Sequence, residues 1–236
     1  MKSSVRFLSS FLFFFVFSVS LFAGEKTLPW TLPDHGNLLS IIPPPPSLGS
    51  ATARADLDGV LALQDHPTAK GLAHAEKSVE FNVFSFSEIL GPSFTAAAYP
   101  KTAMFFKRLE VTANQPKNFL KDRYRRLRPY RAFPNQVNEL VTKEEGYSYP
   151  SGHSTRSWLF ALVMGTLDPA HCNAFLASAY QVGQDRIIGG MHYPYDVLES
   201  RVLAEELFSE LLQDKAFIAD LESLRRDEWS KKTAGE

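Results

Sequence analysis

The stretch STRSWLFALVMGTLDPAHCNAFLASAYQVGQDRII, residues 154–188, decides the fold class of this 236-residue chain. It predicts two consecutive helices, over residues 154–167 and 170–188, both rich in apolar side chains. A further helix is predicted over residues 194–218, where apolar side chains form a wide stripe at helical spacing. The stripe consists of Val197, Leu198, Val202, Leu207, Leu211 and Leu212.

Helical patterns also precede this core. They cover residues 51–63, 67–89, 102–111 and 118–128. The second pattern is interrupted by a β-prone run at residues 81–86, but no alternating strand pairs and no internal repeat are present. The predicted fold class is therefore all-α, a compact helical bundle, with a frayed polar end after Leu221.

The N-terminus has the features of a secretory signal peptide. Lys2 and Arg6 precede an apolar stretch over residues 7–23, and cleavage is predicted after Ala23. An uncleaved membrane anchor is the alternative, although the stretch is shorter than the roughly 20 apolar residues that a span needs. No later stretch is long and apolar enough to span a bilayer, so we expect a periplasmic or secreted protein.

The mature chain divides into an arm and a helical domain. Residues 24–50 contain four consecutive prolines, Pro43–Pro46, which favour an extended arm with little regular structure. Residues 51–236 form the predicted helical domain.

Cys172 is the single cysteine, which excludes an intrachain disulfide. A net charge of −1 argues against a generally basic nucleic-acid-binding protein, but a local basic patch stays open.

The first chemical motif is Lys121-x6-Arg128-Pro129. On a helix, seven residues fall within about 20° of two full turns, so Lys121 and Arg128 are predicted on one face, with Pro129 ending the helix. Two cations could then converge on one anion. The alternative is a solvated basic face or a nucleic-acid patch. That alternative draws on the neighbouring arginines Arg123, Arg125, Arg126 and Arg131.

The second motif is Pro150-Ser151-Gly152-His153, directly before a predicted helix. Glycine lets the backbone approach a ligand closely, and the free N–H groups of a helix start favour an anion. His153 would lie beside that anion. The alternative is an ordinary helix cap followed by an incidental histidine.

The third motif is Arg186-x5-His192-x3-Asp196. Pro194 suits a first helical turn, and Asp196 can then accept a hydrogen bond from one nitrogen of His192. Such a bond fixes the tautomer and leaves the other nitrogen as a nucleophile or a ligand. The alternative is a structural His–Asp cap at a helix entrance.

Together the motifs supply three cations, an N–H-rich turn and two histidines, which are the parts needed to hold a phosphate and break its ester. A metal site is a weaker interpretation, because the histidines lack His-x-x-x-His spacing and carboxylates are few. We therefore expect no metal and no cofactor.

The ordered motifs resemble the type 2 phosphatidic acid phosphatase superfamily, which also holds the vanadium haloperoxidases. The chain is most similar to its exported, helical branch, the bacterial class A non-specific acid phosphatases, over residues 40–215. Those proteins carry a similar Pro-rich start, matched here at residues 42–46.

The resemblance implies a role for each motif residue. Three cations, Lys121, Arg128 and Arg186, would bind phosphate oxygens, and Ser151 and Gly152 would add hydroxyl and backbone donors. His192 would be the nucleophile that forms a phosphohistidine, Asp196 would orient it, and His153 would be the acid and then the base. These assignments list the candidate site as His192, His153, Asp196, Lys121, Arg128, Ser151, Gly152 and Arg186.

One residue departs from the family pattern. Asp185 stands where the family has serine before the arginine of the third motif. Its carboxylate could pair with Arg186 or with a histidine, or it could repel a dianionic substrate.

The function implied is broad hydrolysis of small-molecule phosphomonoesters without a metal. A lipid-phosphate or pyrophosphate phosphatase is the alternative within the superfamily. A vanadate-dependent haloperoxidase and a non-catalytic phosphate-binding protein are more distant alternatives. No nucleic acid is expected as a stable partner, no membrane span remains after signal cleavage, and a homo-oligomer is left open.

Overall fold

The structure is a computed structural model that describes Trp30 and residues 32–230. The predicted signal peptide, residues 1–23, lies outside this part. All regular secondary structure in the described ranges is helical, which confirms the all-α class. The α-helices are α1 His35–Ile41, α2 Ala51–Asp65, α3 Ala69–Lys77, α4 Ser87–Leu90, α5 Pro100–Tyr124, α6 Pro129–Ala132, α7 Gly152–Leu167, α8 Cys172–Ile188, α9 Pro194–Leu211 and α10 Lys215–Leu224.

Helix α7 is the centre of the bundle. Consecutive residues Leu159, Phe160 and Ala161 are all buried, so buried side chains cover most of the circumference of the helix. It packs chiefly against α8 and α9, the helices that end and begin beside the third motif. The predicted helices at 154–167 and 170–188 are therefore confirmed as the core of the fold.

Helix α5 is continuous where the sequence indicated two helices. It passes through Pro116, which supplies no N–H, and buried side chains on either side, Ala113 and Leu120, hold it in place. The helix ends at Tyr124 because Arg125 adopts a left-handed conformation with φ of 47°. The prediction of helix up to Arg128 is therefore wrong.

The run at residues 81–86 forms no strand. Asn82 instead caps a 3₁₀ turn over Val83–Phe86 by accepting a hydrogen bond from the backbone N–H of Phe84. Phe81 and Phe86 are buried in the main core, with ring centroids 5.5 Å apart. Aromatic side chains in this run therefore serve packing within helical structure rather than pairing of strands.

The C-terminal part is more ordered than its polarity suggests. The last predicted helix ends at Leu211, and Asp214 caps the new helix α10. A π-helical turn, Arg225–Trp229, then places Trp229 in the core, where its Nε1 donates to Thr102 Oγ1 at 3.1 Å. The prediction of fraying after Leu221 is therefore wrong as far as residue 230.

The N-terminal arm follows the prediction only in part. Residues 43–47 have no regular structure, as the proline run predicts, but α1 forms within the arm. Asp34 caps α1, and Leu38 and Ile42 are fully buried, so packing stabilises this short helix. Backbone carbonyl groups of the arm accept hydrogen bonds from the helical domain. Tyr149 donates its hydroxyl to Pro43 at 2.6 Å and Tyr124 to Ile42 at 3.1 Å.

None of the helices in the described ranges combines the length and the apolarity that a bilayer span requires.

A second, smaller apolar cluster lies where α8 turns into α9. It contains Val60, Ala75, Tyr130, Val137, Val141, Ile187, Met191, Tyr193 and Val197. This cluster packs beside the segments that carry the three motifs and so fixes their relative positions.

Packing of α9 on α7 can be tested with two leucines of the same helix. Leu203 is fully buried, whereas Leu198 is half exposed. We expect Leu203→Ala to lower the free energy of unfolding by about 2–5 kcal/mol, because it removes buried methyl groups and leaves a cavity. Leu198→Ala should change it by only about 0.5 kcal/mol. Urea unfolding measures both, and equal losses would contradict this packing.

Candidate active site

The three motifs meet at one end of the bundle. Lys121 lies in the last turn of α5, His153 in the first turn of α7, and Arg186 near the end of α8. His192 and Asp196 flank the start of α9. The structure therefore brings together the residues that the sequence placed in one site.

Arg128 reaches the site by a route that the sequence did not indicate. It lies outside α5, in extended backbone with φ of −65° and ψ of 150°, so it does not share a helical face with Lys121. Its Nη1 nevertheless lies 3.0 Å from His192 Nε2, and both cations line one cavity. The expected convergence is present, but the shared helical face is wrong.

His192 is held in one tautomer. Arginine can only donate, so its contact with Nε2 makes that nitrogen an acceptor and leaves the ring proton on Nδ1. Nδ1 faces Asp196 Oδ2 at 3.5 Å. Burial of the ring lowers the pKa of His192, and the charges of Arg128 and Lys121 act in the same direction. The ring is therefore neutral, with its Nε2 lone pair on the side of the cations.

Asp196 is fixed by a buried ionic chain that the sequence analysis missed. Arg126 donates to Asp196 at 2.6 Å and to Asp56 at 2.5 Å, and its guanidinium lies 3.8 Å from the centre of the Tyr193 ring. Burial opposes ionisation of Asp196, but His192 and Arg126 outweigh it and lower its pKa. Asp56 also accepts from the backbone N–H of Tyr195 at 2.7 Å, which ties α2 to α9.

The other arginines of the basic segment have no such role. Arg123, Arg125 and Arg131 are exposed to solvent, as the alternative of a solvated basic face predicts. Arg126 alone among these four turns inward. Its partner Asp56 is 70 residues away in sequence, so only long-range packing could identify it.

His153 is oriented by the main chain. Its Nε2 lies 2.9 Å from the carbonyl oxygen of Val79 and its Nδ1 lies 3.0 Å from Glu144 Oε1. A carbonyl and a carboxylate both only accept, so the two contacts together fit a ring that is protonated on both nitrogens. Nδ1 is the nitrogen that faces the other site residues.

Ser151 and Gly152 form the turn that starts α7. The Ser151 hydroxyl is buried and caps the helix by accepting from the backbone N–H of Ser154, and it does not line the cavity. Gly152 does line the cavity. A Cβ at Gly152 would lie 3.1 Å from the side chain of Lys117, so glycine leaves room for this lysine against the turn.

Arg186 is fully buried and carries spare donors. Its Nη2 donates to Glu144 at 2.8 Å. In the part of the chain that the structure describes, its Nε and Nη1 and the Nε of Arg128 are buried without a hydrogen-bond partner. Buried donors without partners are costly, so this group of nitrogens is suited to an anion.

Glu144 is the second residue that the sequence analysis missed. Its carboxylate contacts Arg128 at 2.9 Å and Arg186 at 2.8 Å, and it also faces both histidines. Burial opposes its ionisation, but the hydrogen bond from His153 holds the pKa of Glu144 below its ordinary value. No motif marks this residue, because it lies in an irregular segment between α6 and α7.

Asp185 pairs with a histidine, but with one outside the motifs. Its carboxylate lies 2.8 Å from His74 Nδ1 and accepts from Gln181 at 3.0 Å. The residue is fully buried, so its contacts join α3 to α8. Of the roles considered for Asp185, the geometry favours pairing with a histidine.

The cavity over the site has a volume of about 450 Å³. Lys121, Arg128, Glu144, Gly152 and His153 are among the residues that line it. In the described ranges, no group of three or more His, Cys, Asp or Glu side chains is arranged to hold a metal ion. The arrangement can bind a compact oxyanion between arginine donors and present a neutral imidazole and a protonated one to it.

Comparison with known proteins agrees with this geometry. Residues 103–210 match the family model of the PAP2 superfamily. The chain is 28% identical over 227 residues to a non-specific acid phosphatase of Salmonella typhi, covering 92% of this chain and 90% of that protein. It is 27% identical over 202 residues to a non-specific acid phosphatase of Providencia stuartii, covering 82% and 81%.

Among solved structures, the fold is similar to a transmembrane PAP2-type phosphatidylglycerolphosphate phosphatase from Bacillus subtilis. The TM-score is 0.50 at 21% identity, and the match covers 69% of this chain and 85% of that chain. This likeness supports the fold. Residues 103–210 thus match the PAP2 superfamily, and the chain is similar to bacterial non-specific acid phosphatases over most of its length.

Proposed function

We propose that this protein hydrolyses phosphomonoesters of broad structure, without a metal ion, through a phosphohistidine on His192. The observation that carries the proposal is the state of His192. Its Nε2 is an unprotonated acceptor beside Arg128, and Asp196 lies behind Nδ1. The relatives named non-specific acid phosphatase support the same reaction class.

The substrate phosphate is held by cations and backbone. Arg128 and Arg186 donate to its oxygens through their guanidinium groups, and Lys121 adds a charge from α5. Gly152 contributes its backbone N–H at the start of α7, which the cap at Ser151 keeps in place. These cations neutralise the charge that a metal ion would otherwise neutralise.

The first chemical step transfers the phosphoryl group to the enzyme. His192 Nε2 attacks phosphorus, the ester P–O bond breaks, and the leaving oxygen takes the proton of His153 Nδ1. Asp196 stabilises the ring as it gains charge, and Arg126 holds Asp196 in place. In the second step water attacks phosphorus and gives a proton to His153, and the P–N bond breaks to release phosphate.

The two histidines must therefore differ in charge. His153 has to be protonated to donate, whereas His192 has to be neutral to attack, which favours acidic to neutral pH. Burial and nearby cations keep His192 neutral, and contacts with two acceptors suit a protonated His153.

We also propose that the mature protein acts in the periplasm or is secreted. The basic start, the apolar stretch over residues 7–23 and Ala23 support cleavage there. The exported class that the sequence resembles agrees with this location.

The reaction class is tested with a panel of phosphomonoesters that includes nucleotide, sugar and aryl phosphates, assayed on purified mature protein. We expect hydrolysis of several of them, essentially unchanged by a chelator, and inhibition by vanadate, which can occupy the same oxygen-binding site. Activity that a chelator abolishes and zinc or magnesium restores would contradict the proposal.

The roles of the histidines are tested by leaving groups. General acid help is typically worth about 10²–10⁴-fold, and an activated aryl leaving group needs little of it. His153→Ala should therefore retain phosphoenzyme formation with nitrophenyl phosphate and lose most of it with an alkyl phosphate. His192→Ala should lose both. Rapid-quench trapping reads the phosphohistidine, and label that persists only in His192→Ala would reverse the two roles.

The pKa of Lys121 predicts a loss of activity on the alkaline side of the pH profile. Burial lowers the pKa of Lys121 to about 7, and the charge of Arg128 acts in the same direction. The ammonium is present below that pH and is lost above it. The kcat/KM for nitrophenyl phosphate should thus fall above pH about 7, by up to tenfold per pH unit. Lys121→Arg stays charged and should remove this fall, and an unchanged profile would exclude Lys121 as its source.

A further inference from the structure

The carboxylate of Glu144 has the contacts that a phosphate would need. It lies 2.9 Å from Arg128 Nη2, 2.8 Å from Arg186 Nη2 and 3.0 Å from His153 Nδ1. Its Oε2 is also 3.8 Å from His192 Nε2, the nitrogen assigned as nucleophile. One carboxylate thus faces two phosphate-binding cations and both proposed catalytic groups.

Access to the nucleophile depends on this side chain. The cavity is lined by Lys121, Arg128, His153 and Glu144, whereas Arg186 and His192 are fully buried and do not line it. Glu144 contacts both of these buried residues from the cavity side. A substrate in the cavity therefore meets Glu144 before it can meet His192.

We infer that Glu144 is an internal occupant of the phosphate position, and that a substrate binds only after displacing its carboxylate. This inference rests on the proposed function for the identity of the site. It assigns to Glu144 a control of affinity for oxyanions that no motif of the sequence provides.

The side chain of Glu144 can move out of the site while its backbone stays in place. Tyr130 donates its hydroxyl to the carbonyl of Glu144 at 3.0 Å, and Arg128 donates to the carbonyl of Glu145 at 3.0 Å, so the main chain is anchored. The Glu144 side chain is one-fifth exposed, and the exposed residues Glu145 and Gly146 follow it. A rotation about the side-chain bonds of Glu144 therefore leads from the site towards solvent.

Displacement has a thermodynamic signature. If only the form with Glu144 withdrawn binds an oxyanion, the apparent affinity of every oxyanion falls by the same factor, the fraction of that form. Repulsion through space behaves differently, because its energy scales with the charge of the ligand. A monoanion and a dianion of similar shape therefore separate the two effects.

The test compares Glu144→Gln with the wild-type protein in calorimetric titrations of sulfate, a dianion, and methanesulfonate, a monoanion. Glu145→Gln is the matched control, because it makes the same charge change one residue away on the same cavity. We expect Glu144→Gln to bind both anions more tightly by a similar factor, about tenfold or more. Glu145→Gln should produce a smaller change that is larger for sulfate.

Two results would overturn the inference. One is an affinity in Glu144→Gln that equals that of the wild type. The other is a gain for sulfate that is about the square of the gain for methanesulfonate, because that pattern indicates repulsion. Sulfate is not hydrolysed, so a wild type that binds it without cleaving any phosphomonoester would refute the proposed function and leave this inference standing.

A stability measurement covers the case in which the variant folds poorly. Loss of the carboxylate leaves Arg128 and Arg186 without their shared anion, so Glu144→Gln should melt below the wild type. Sulfate should then raise its melting temperature more than it raises that of the wild type. Glu144→Asp keeps the charge on a shorter side chain and should lie between them. An equal response to sulfate in all three would contradict an internal occupant.

Discussion

The site depends on a buried ionic chain, Asp56–Arg126–Asp196, that stands behind His192. Each carboxylate in it is removed from water and each is paired with the same guanidinium, so removing one member would leave a buried charge unpaired. His192 and Arg126 keep Asp196 ionised, and Arg126 holds its carboxylate in place 3.5 Å from His192 Nδ1. Arg128 on one side of the His192 ring sets its tautomer, and this chain fixes the carboxylate on the other side, so the proposed reaction depends on both.

Most of the core and of the site could be predicted from the sequence. Apolar helices such as α7 are recognised because burial of most of the helix surface leaves a continuous apolar run within one segment of sequence. Lys121, His153, His192 and Asp196 were recognised for a similar reason, since short spacings and flanking glycine or proline carry the signal. Expectations failed where a single residue changed the backbone path, as at Arg125, whose left-handed conformation ends α5 and moves Arg128 off the helix.

The residues that sequence reasoning missed act through partners far away in the chain. Asp56 joins Arg126 across 70 positions, and Glu144 meets Arg186 across 42. Neither residue stands in a distinctive local pattern, and a lone glutamate in an irregular segment is ordinarily a solvated side chain. Tertiary packing also orders Trp229, although the residues around it are polar. It orders α1 in the same way, although a run of prolines follows this helix.

The contact between His153 and the backbone carbonyl of Val79 has a consequence for how this site responds to mutation. The group that fixes the ring is the carbonyl of Val79, which every amino acid at position 79 would also carry. A scan of side-chain substitutions at position 79 would therefore not detect this contact. Tolerance of substitution there would say nothing about the importance of the carbonyl. This part of the orientation of His153 is encoded in the path of the main chain between α3 and the 3₁₀ turn at Val83–Phe86, and only a change in that path can remove it.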